Sequence, residues 1–202
     1  METVKAVRIR RALAEADLIV IGASNGFDMA EGLNLFFADA HFRETYGDLA
    51  QSDDIGCILQ GLAFSDANVR RRWAERFYQK EYLEYDSSPL MNGLGRLTKH
   101  ADTFVITCNI DGHFLRAGFN ENRVLETEGS IRTSIDERRL SHPDAFATAQ
   151  LEELAQLVRT HRTGRVAILE LGVGLRNGII KRMLAQIANA CEHATYIAFN
   201  YS

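Results

Sequence analysis

Residues 18–26 read Leu-Ile-Val-Ile-Gly-Ala-Ser-Asn-Gly. Leu18 to Gly22 is a short apolar, β-branched run that follows Asp17 and gives way to turn-forming residues. Such a run reads as a strand buried on both faces, the kind found in parallel sheets. Gly22 to Gly32 is turn-rich, and parallel strands need helical crossovers to return to the same edge.

Working outward, that alternation recurs. Val4–Ala16 reads as a helix, with Val7, Leu13 and Ala14 near one face. Leu33–Ala40 reads as helical. Asp66–Tyr82 is the strongest helical segment: Val69, Trp73 and Phe77 recur every four residues, and Asp66 suits the N-cap. Ser88-Pro89 opens a helix to about His100, with Pro89 at its first position. Strands are expected at 103–107, 123–126, 165–171 and 195–199, and helices at 148–161 and 178–191. Strands separated by helices predict an α/β fold, a Rossmann-like doubly wound parallel sheet.

Composition narrows the classes. The 202 residues are 46% hydrophobic and 25% charged, which excludes disorder and fibrous repeats. Two prolines and fifteen glycines leave no room for long low-complexity linkers. A net charge of −4 argues against a sequence-independent nucleic-acid binder. The longest apolar run, Leu18–Ala23, is far short of a membrane span. Cys57, Cys108 and Cys191 are spread along the chain, and three cysteines cannot all pair internally. Free thiols and an N-terminus without an apolar signal core set the expectation of a cytoplasmic protein.

Ligands of such sheets bind beyond the carboxyl ends of the strands. The segments there are Gly22-Ala23-Ser24-Asn25-Gly26, Asn109-Ile110-Asp111-Gly112, Gly129-Ser130 and Gly172-Val173-Gly174. Glycines after the first strand would let backbone N–H groups approach a phosphate; a tight strand-to-helix turn explains them equally well. Asp111 reads either as a ligand-binding carboxylate or as a helix cap. Together, four such loops at one sheet edge favour a nucleotide site. Elsewhere, Arg70-Arg71-Arg72 reads as a solvated face, Trp73, Phe77 and Tyr82 as core, Cys108 as a buried thiol and His113 as a histidine supporting the site.

The order of residues 16–23, 104–119 (Phe-Val-Ile-Thr-Cys-Asn-Ile-Asp-Gly-His-Phe-Leu-Arg-Ala-Gly-Phe), 123–130 (Arg-Val-Leu-Glu-Thr-Glu-Gly-Ser) and 169–174 (Leu-Glu-Leu-Gly-Val-Gly) resembles the sirtuins. These are NAD-consuming protein deacylases and ADP-ribosyltransferases, and within them the macrodomain-linked bacterial class is most similar. The resemblance runs from about residue 16 onward and fades between 40 and 85. It implies one NAD-binding domain over 1–202, with a helical insertion at about 30–85 covering the carboxyl edge of the sheet. It implies that Asn109 and Asp111 hold the nicotinamide and its ribose. Gly22, Ala23, Ser24, Asn25, Gly172, Val173, Gly174 and Asn200 would line the dinucleotide, and a protein would be the substrate.

Departures from the sirtuin pattern carry information. The sirtuin loop Gly-Ala-Gly-x-Ser appears as Gly22-Ala23-Ser24-Asn25-Gly26, with serine and glycine exchanged. Sirtuins carry a ribbon of two Cys-x-x-Cys pairs; from Ile131 to Gln150 there is no cysteine and His142 alone, so the expectation is no metal and a short loop over 131–147. Many sirtuins have one more strand and helix beyond the position of Asn200. The position before Gly-Ser, histidine in most sirtuins and usually glutamine in the macrodomain-linked class, is Glu128.

Cleavage of nicotinamide from NAD builds positive charge on the ribose. A carboxylate at position 128 stabilises such charge, an effect worth roughly 3–4 kcal/mol per preorganised group. Deacylation instead wants a base near neutral pH, whereas an ordinary glutamate titrates near pH ~4. The catalytic set expected is therefore Asn109, Asp111 and Glu128, acting in ADP-ribosyl transfer with nicotinamide release. A non-catalytic NAD or ADP-ribose binding module and a lysine deacylase are the alternatives.

Overall fold

The computed structural model describes residues 3–132, 143–175 and 177–200, the side chains of residues 143–146 excepted. Five strands form one parallel sheet: β1 (Leu18–Ala23), β2 (Asp102–Thr107), β3 (Val124–Glu126), β4 (Arg165–Leu171) and β5 (His193–Phe199), in the order β3-β2-β1-β4-β5. This is the doubly wound order, with its switch point between β1 and β4.

The apolar run at 18–21 sits at the centre of the sheet because both faces are covered. Leu18 and Val20 join one core with Phe104, Ile106, Ile168 and Leu184; Ile19 and Ile21 join the other with Leu13, Met91, Val105 and Leu169. Strand side chains alternate between faces, so a central parallel strand must be apolar throughout. α1 (Val4–Ala14) and α6 (Pro89–Thr98) cover the second face; α8 (Pro143–Thr160) and α9 (Gly178–Ala190) cover the first. Gly22 lets α9 approach β1: a Cβ there would lie 2.4 Å from Leu184 Cδ1.

Between β1 and β2 come α2 (Asn25–Glu31), α3 (Ala40–Asp53), α4 (Ile58–Leu62), α5 (Ala67–Phe77) and a π-helical turn at Tyr78–Leu83. α3 to the π turn build a third core around Trp73, with the Tyr46 ring stacked on it at 5.6 Å. Trp73 and Phe77 are fully buried there, and the indole N–H donates to Asp53 Oδ2 at 3.0 Å. Arg70, Arg71 and Arg72 are exposed on the same helix, and Arg72 meets Asp53 at 2.6 Å.

Two elements differ from the sequence reading. Leu33–Ala40 is not a helix: Asn34 turns the chain by accepting from the Phe36 N–H at 3.0 Å. The next helix waits for Asp39, which caps the Phe42 N–H at 2.9 Å. The segment 66–82 splits, with an α-helix capped by Asp66 followed by the π turn. The added residue per turn places Glu81 inward among polar groups. The short helices α2, α4 and α7 (His113–Arg116) are too brief to show a period in the sequence. Most of the loop expected at 131–147, with His142, lies outside the described residues.

Candidate active site

The carboxyl ends of β1, β2 and β4 open into a cleft of about 500 Å³ lined by Ser24, Asn25, Gly26, Met29, Cys108, Glu128, Gly172, Val173, Gly174, Asn177, Gly178, Ile179 and Asn200. It lies at the switch point, where the first and fourth strands diverge.

Backbone crowding shapes its floor. The Gly26 N–H donates to the Gly172 carbonyl at 3.1 Å, and Gly172 has φ +61°. A Cβ on Gly26 would lie 2.7 Å from Gly172 Cα, and one on Gly172 would lie 2.2 Å from the Phe27 nitrogen. Both glycines are therefore required by the crossing of two turns. Gly174 faces open space instead.

One wall is held from behind by Glu170, a buried residue of β4. Lys181 Nζ donates to it at 2.5 Å, and Tyr196 and Asn200 donate as well. Burial works against that charge, but these donors outweigh it and keep the carboxyl below its ordinary range. The other end of Asn200 accepts from the Val173 N–H at 2.9 Å, which fixes the loop after β4. Asn177 caps α9, accepting from the Ile180 N–H at 3.3 Å, so the positive end of a 13-residue helix faces the cleft. Among the described residues the lining carries no lysine or arginine. An anion here would be met by backbone N–H groups and the helix end.

On the β2 side, Ser24 Oγ lies 3.0 Å from Cys108 Sγ, and Asn177 Nδ2 donates to the same sulfur at 3.2 Å. Burial pushes the Cys108 thiol up. Glu128 stands exposed at the cleft mouth.

Asn109 and Asp111 are not on the cleft wall; they lie behind it, 2% and 3% exposed. Asn109 Nδ2 donates to Asp28 of α2, and Asp111 Oδ1 accepts from the His113 N–H at 2.7 Å. His113 Nδ1 is 3.4 Å from Glu31 Oε2, its Nε2 donates to the Glu81 carbonyl at 2.9 Å, and the Tyr85 ring stacks on it at 3.7 Å. Burial opposes a charge on this imidazole, but Asp111, Glu31 and Glu81 outweigh it and raise it above the ordinary histidine value. Glu81 also accepts from the Tyr46 hydroxyl at 2.8 Å and contacts His41 Nε2 at the same distance, tying α3 to this cluster. Glu126, at the end of β3, is pushed up to about 7 by burial, against the pull of Arg132.

Of the residues singled out in the sequence, Ser24, Asn25, Glu128, Gly172, Val173, Gly174 and Asn200 meet in one cleft. Gly22 and Ala23 are buried within β1, and Asn109 and Asp111 form an inner polar layer. The reading missed Asp28, Glu31 and Asn177. The i, i+3 spacing of Asp28 and Glu31 just after a glycine turn was the available signal. Among the described residues no group of three or more His, Cys, Asp or Glu could hold a metal ion, and no helix is long and apolar enough to cross a membrane.

A five-stranded parallel sheet with a cleft at its switch point defines the doubly wound, Rossmann-like class of α/β fold. Within that class the fold is that of the sirtuins. A sirtuin solved for the structural basis of substrate affinity superposes with TM-score 0.58 at 16% identity, over 99% of this chain and 88% of that one. Sir2Tm bound to a propionylated peptide gives 0.57 at 16% identity over 98% and 87%. Sir2 with a p53 peptide and NAD+ gives 0.56 at 15% identity over 100% and 88%. No family model matches the chain. A Staphylococcus aureus (strain Mu50 / ATCC 700699) protein named protein ADP-ribosyltransferase is 26% identical over 130 residues, 63% of this chain and 41% of that protein. The match thus spans about two fifths of that relative's length.

Proposed function

We propose that the chain is a sirtuin-type transferase that consumes NAD, releasing nicotinamide and moving ADP-ribose to a protein. One observation carries the reading: seven sequence-marked residues from β1, β3, β4 and β5 meet in a single cleft, with a carboxylate, Glu128, at its mouth. The name of the S. aureus relative and the NAD+ and peptides held by Sir2 structures support the same ligand and acceptor class.

The residues fit a dinucleotide. Gly26 and Gly172 keep the floor free of side chains, and the α9 end offers N–H groups to a pyrophosphate. Asn109 and Asp111, buried behind the cleft wall, would support the nicotinamide riboside end from within. Glu128 stabilises the positive charge that develops on the ribose as the glycosidic bond to nicotinamide breaks, and it accepts a proton from the acceptor as the new bond to ribose forms. A solvated carboxylate suits these tasks better than it suits a histidine's proton shuttling in deacylation.

The test is to incubate the purified protein with NAD and follow free nicotinamide by chromatography, alongside thermal melts. NAD at a hundredfold excess over its Kd should stabilise the fold by about 2.7 kcal/mol. Release of nicotinamide upholds the transferase reading. Binding without release favours the non-catalytic NAD module, and neither binding nor release overturns both.

A further inference from the structure

We infer that Asp28 is the positioning residue of this site: it holds one proton jointly with Asp111 and turns the Asn109 amide so that its carbonyl oxygen faces the Cys108 thiol that lines the cleft. The role in turnover rests on the transferase reading above; the shared proton does not.

The geometry allows few other arrangements. Asp28 Oδ1 accepts from Asn109 Nδ2, and Asp111 Oδ1 accepts from the His113 N–H. The oxygens left over, Asp28 Oδ2 and Asp111 Oδ2, are buried without a donor among the described residues. The two carboxyl groups lie within hydrogen-bonding reach of each other. Two buried carboxylates in contact repel, and each orphaned oxygen would carry its full desolvation cost. One proton between them satisfies both oxygens and leaves a single charge.

The surroundings reinforce this. Cys108 beside β2 and Glu31 on α2 both disfavour a charge on Asp28, and Glu126 on β3 sits near Asp111. His113 is the basic group facing the pair, 3.9 Å from Asp111 Oδ1, and it is already engaged by Glu31 and the Glu81 carbonyl. Burial and Asp111 hold the Asp28 carboxyl well above the usual range.

The consequence concerns Asn109. Its two amide ends are chemically distinct, and a carboxyl oxygen that accepts selects the NH₂ end. Asn109 Oδ1 is thereby left on the side of Cys108, 3.8 Å from the sulfur that lines the cleft. The amide so presents an acceptor on the Cys108 side, which suits a ligand hydroxyl such as those of a ribose and not a second carbonyl.

The test uses two variants and one spectroscopic readout. Asp28→Ala removes the partner of Asn109, so nicotinamide release should fall roughly 10²-fold in kcat with KM changed much less. Asp28→Asn can still accept from Asn109 and can donate to Asp111, so it should recover most of that loss. It cannot ionise, so the alkaline fall in rate expected of the parent as the shared proton is lost should vanish. Carbon-13 NMR of the unliganded parent should show one of the two carboxyls still protonated above about pH 6, where free aspartic acids are ionised. Parent-like kinetics in Asp28→Ala, an unchanged alkaline limb in Asp28→Asn, or both carboxyls ionised below about pH 5 would each overturn the inference. If the parent releases no nicotinamide, the transferase reading fails, and the NMR titration still decides the shared proton. If Asp28→Ala does not fold, the Asp28→Asn profile and the titration decide.

Discussion

Gly26 and Gly172 touch backbone to backbone across the floor of the cleft, joined by an N–H···O bond of 3.1 Å. The turn after β1 and the turn after β4 can cross there because neither residue carries a side chain. Gly172→Ala would add both a left-handed backbone strain and a contact of 2.2 Å with the Phe27 nitrogen. We expect a stability loss of about 1–3 kcal/mol, read as a Tm lower by several degrees, together with weakened NAD binding. An unchanged Tm would mean that the floor is not set by this crossing.

Glu128→Gln keeps the shape of the side chain and removes its charge. NAD affinity should change little, while nicotinamide release should fall roughly 10²–10³-fold. An unchanged release rate would remove Glu128 from the mechanism. Glu128→His is the sharper probe: a site built for ADP-ribosyl transfer gains no activity on acyl-lysine peptides, whereas new deacylation would point to the deacylase reading.

Glu126 makes stability depend on pH. Its folded value is raised to about 7 from 4.5 by burial, so above pH 4.5 the unfolded chain releases this proton before the folded one does. The contribution of Glu126 to stability therefore declines as pH rises from 4.5 to about 7 and is flat above that. Urea unfolding across this range should show the decline in the parent and a shallower one in Glu126→Gln. Identical slopes would mean that Glu126 is ionised in the folded protein.

The cysteine spacing predicts a fold independent of zinc. Elemental analysis of the purified protein should find no stoichiometric zinc, and EDTA should leave the melting curve in place. A chelator-induced drop in Tm would show that ligands from separated parts of the chain, or from two chains, meet at a metal.

The sheet was legible because its signal is local. Leu18–Ile21 is apolar on both faces, and so are Phe104–Ile106 and Ala167–Leu169, as central parallel strands require. The cleft was legible through the short segments that end those strands. The inner layer was legible only in Asn109 and Asp111, because a lone Asp28 or Glu31 in a brief helix reads as solvated. The burial of that helix's carboxylates depends on the π turn at Tyr78–Leu83 and on β2, both distant in the chain. Leu33–Ala40 differs for a related reason: Leu33 and Leu35 are buried in the core around Trp73 from a turn held by Asn34, and that core is assembled from residues distant in the chain.

The clasp around Glu170 bears on how tightly any ligand can be held. Lys181, Tyr196 and Asn200 converge on one carboxylate, and Asn200 passes the constraint on to the Val173 N–H. That wall has lost its rotamer and backbone freedom before a ligand arrives. Ordering loops and long side chains at a binding surface costs about 0.5–1.5 kcal/mol for each group immobilised. Here those losses belong to folding. A ligand resting on this wall keeps more of its contact energy as affinity, and loosening Asn200 should speed its dissociation more than it slows its arrival.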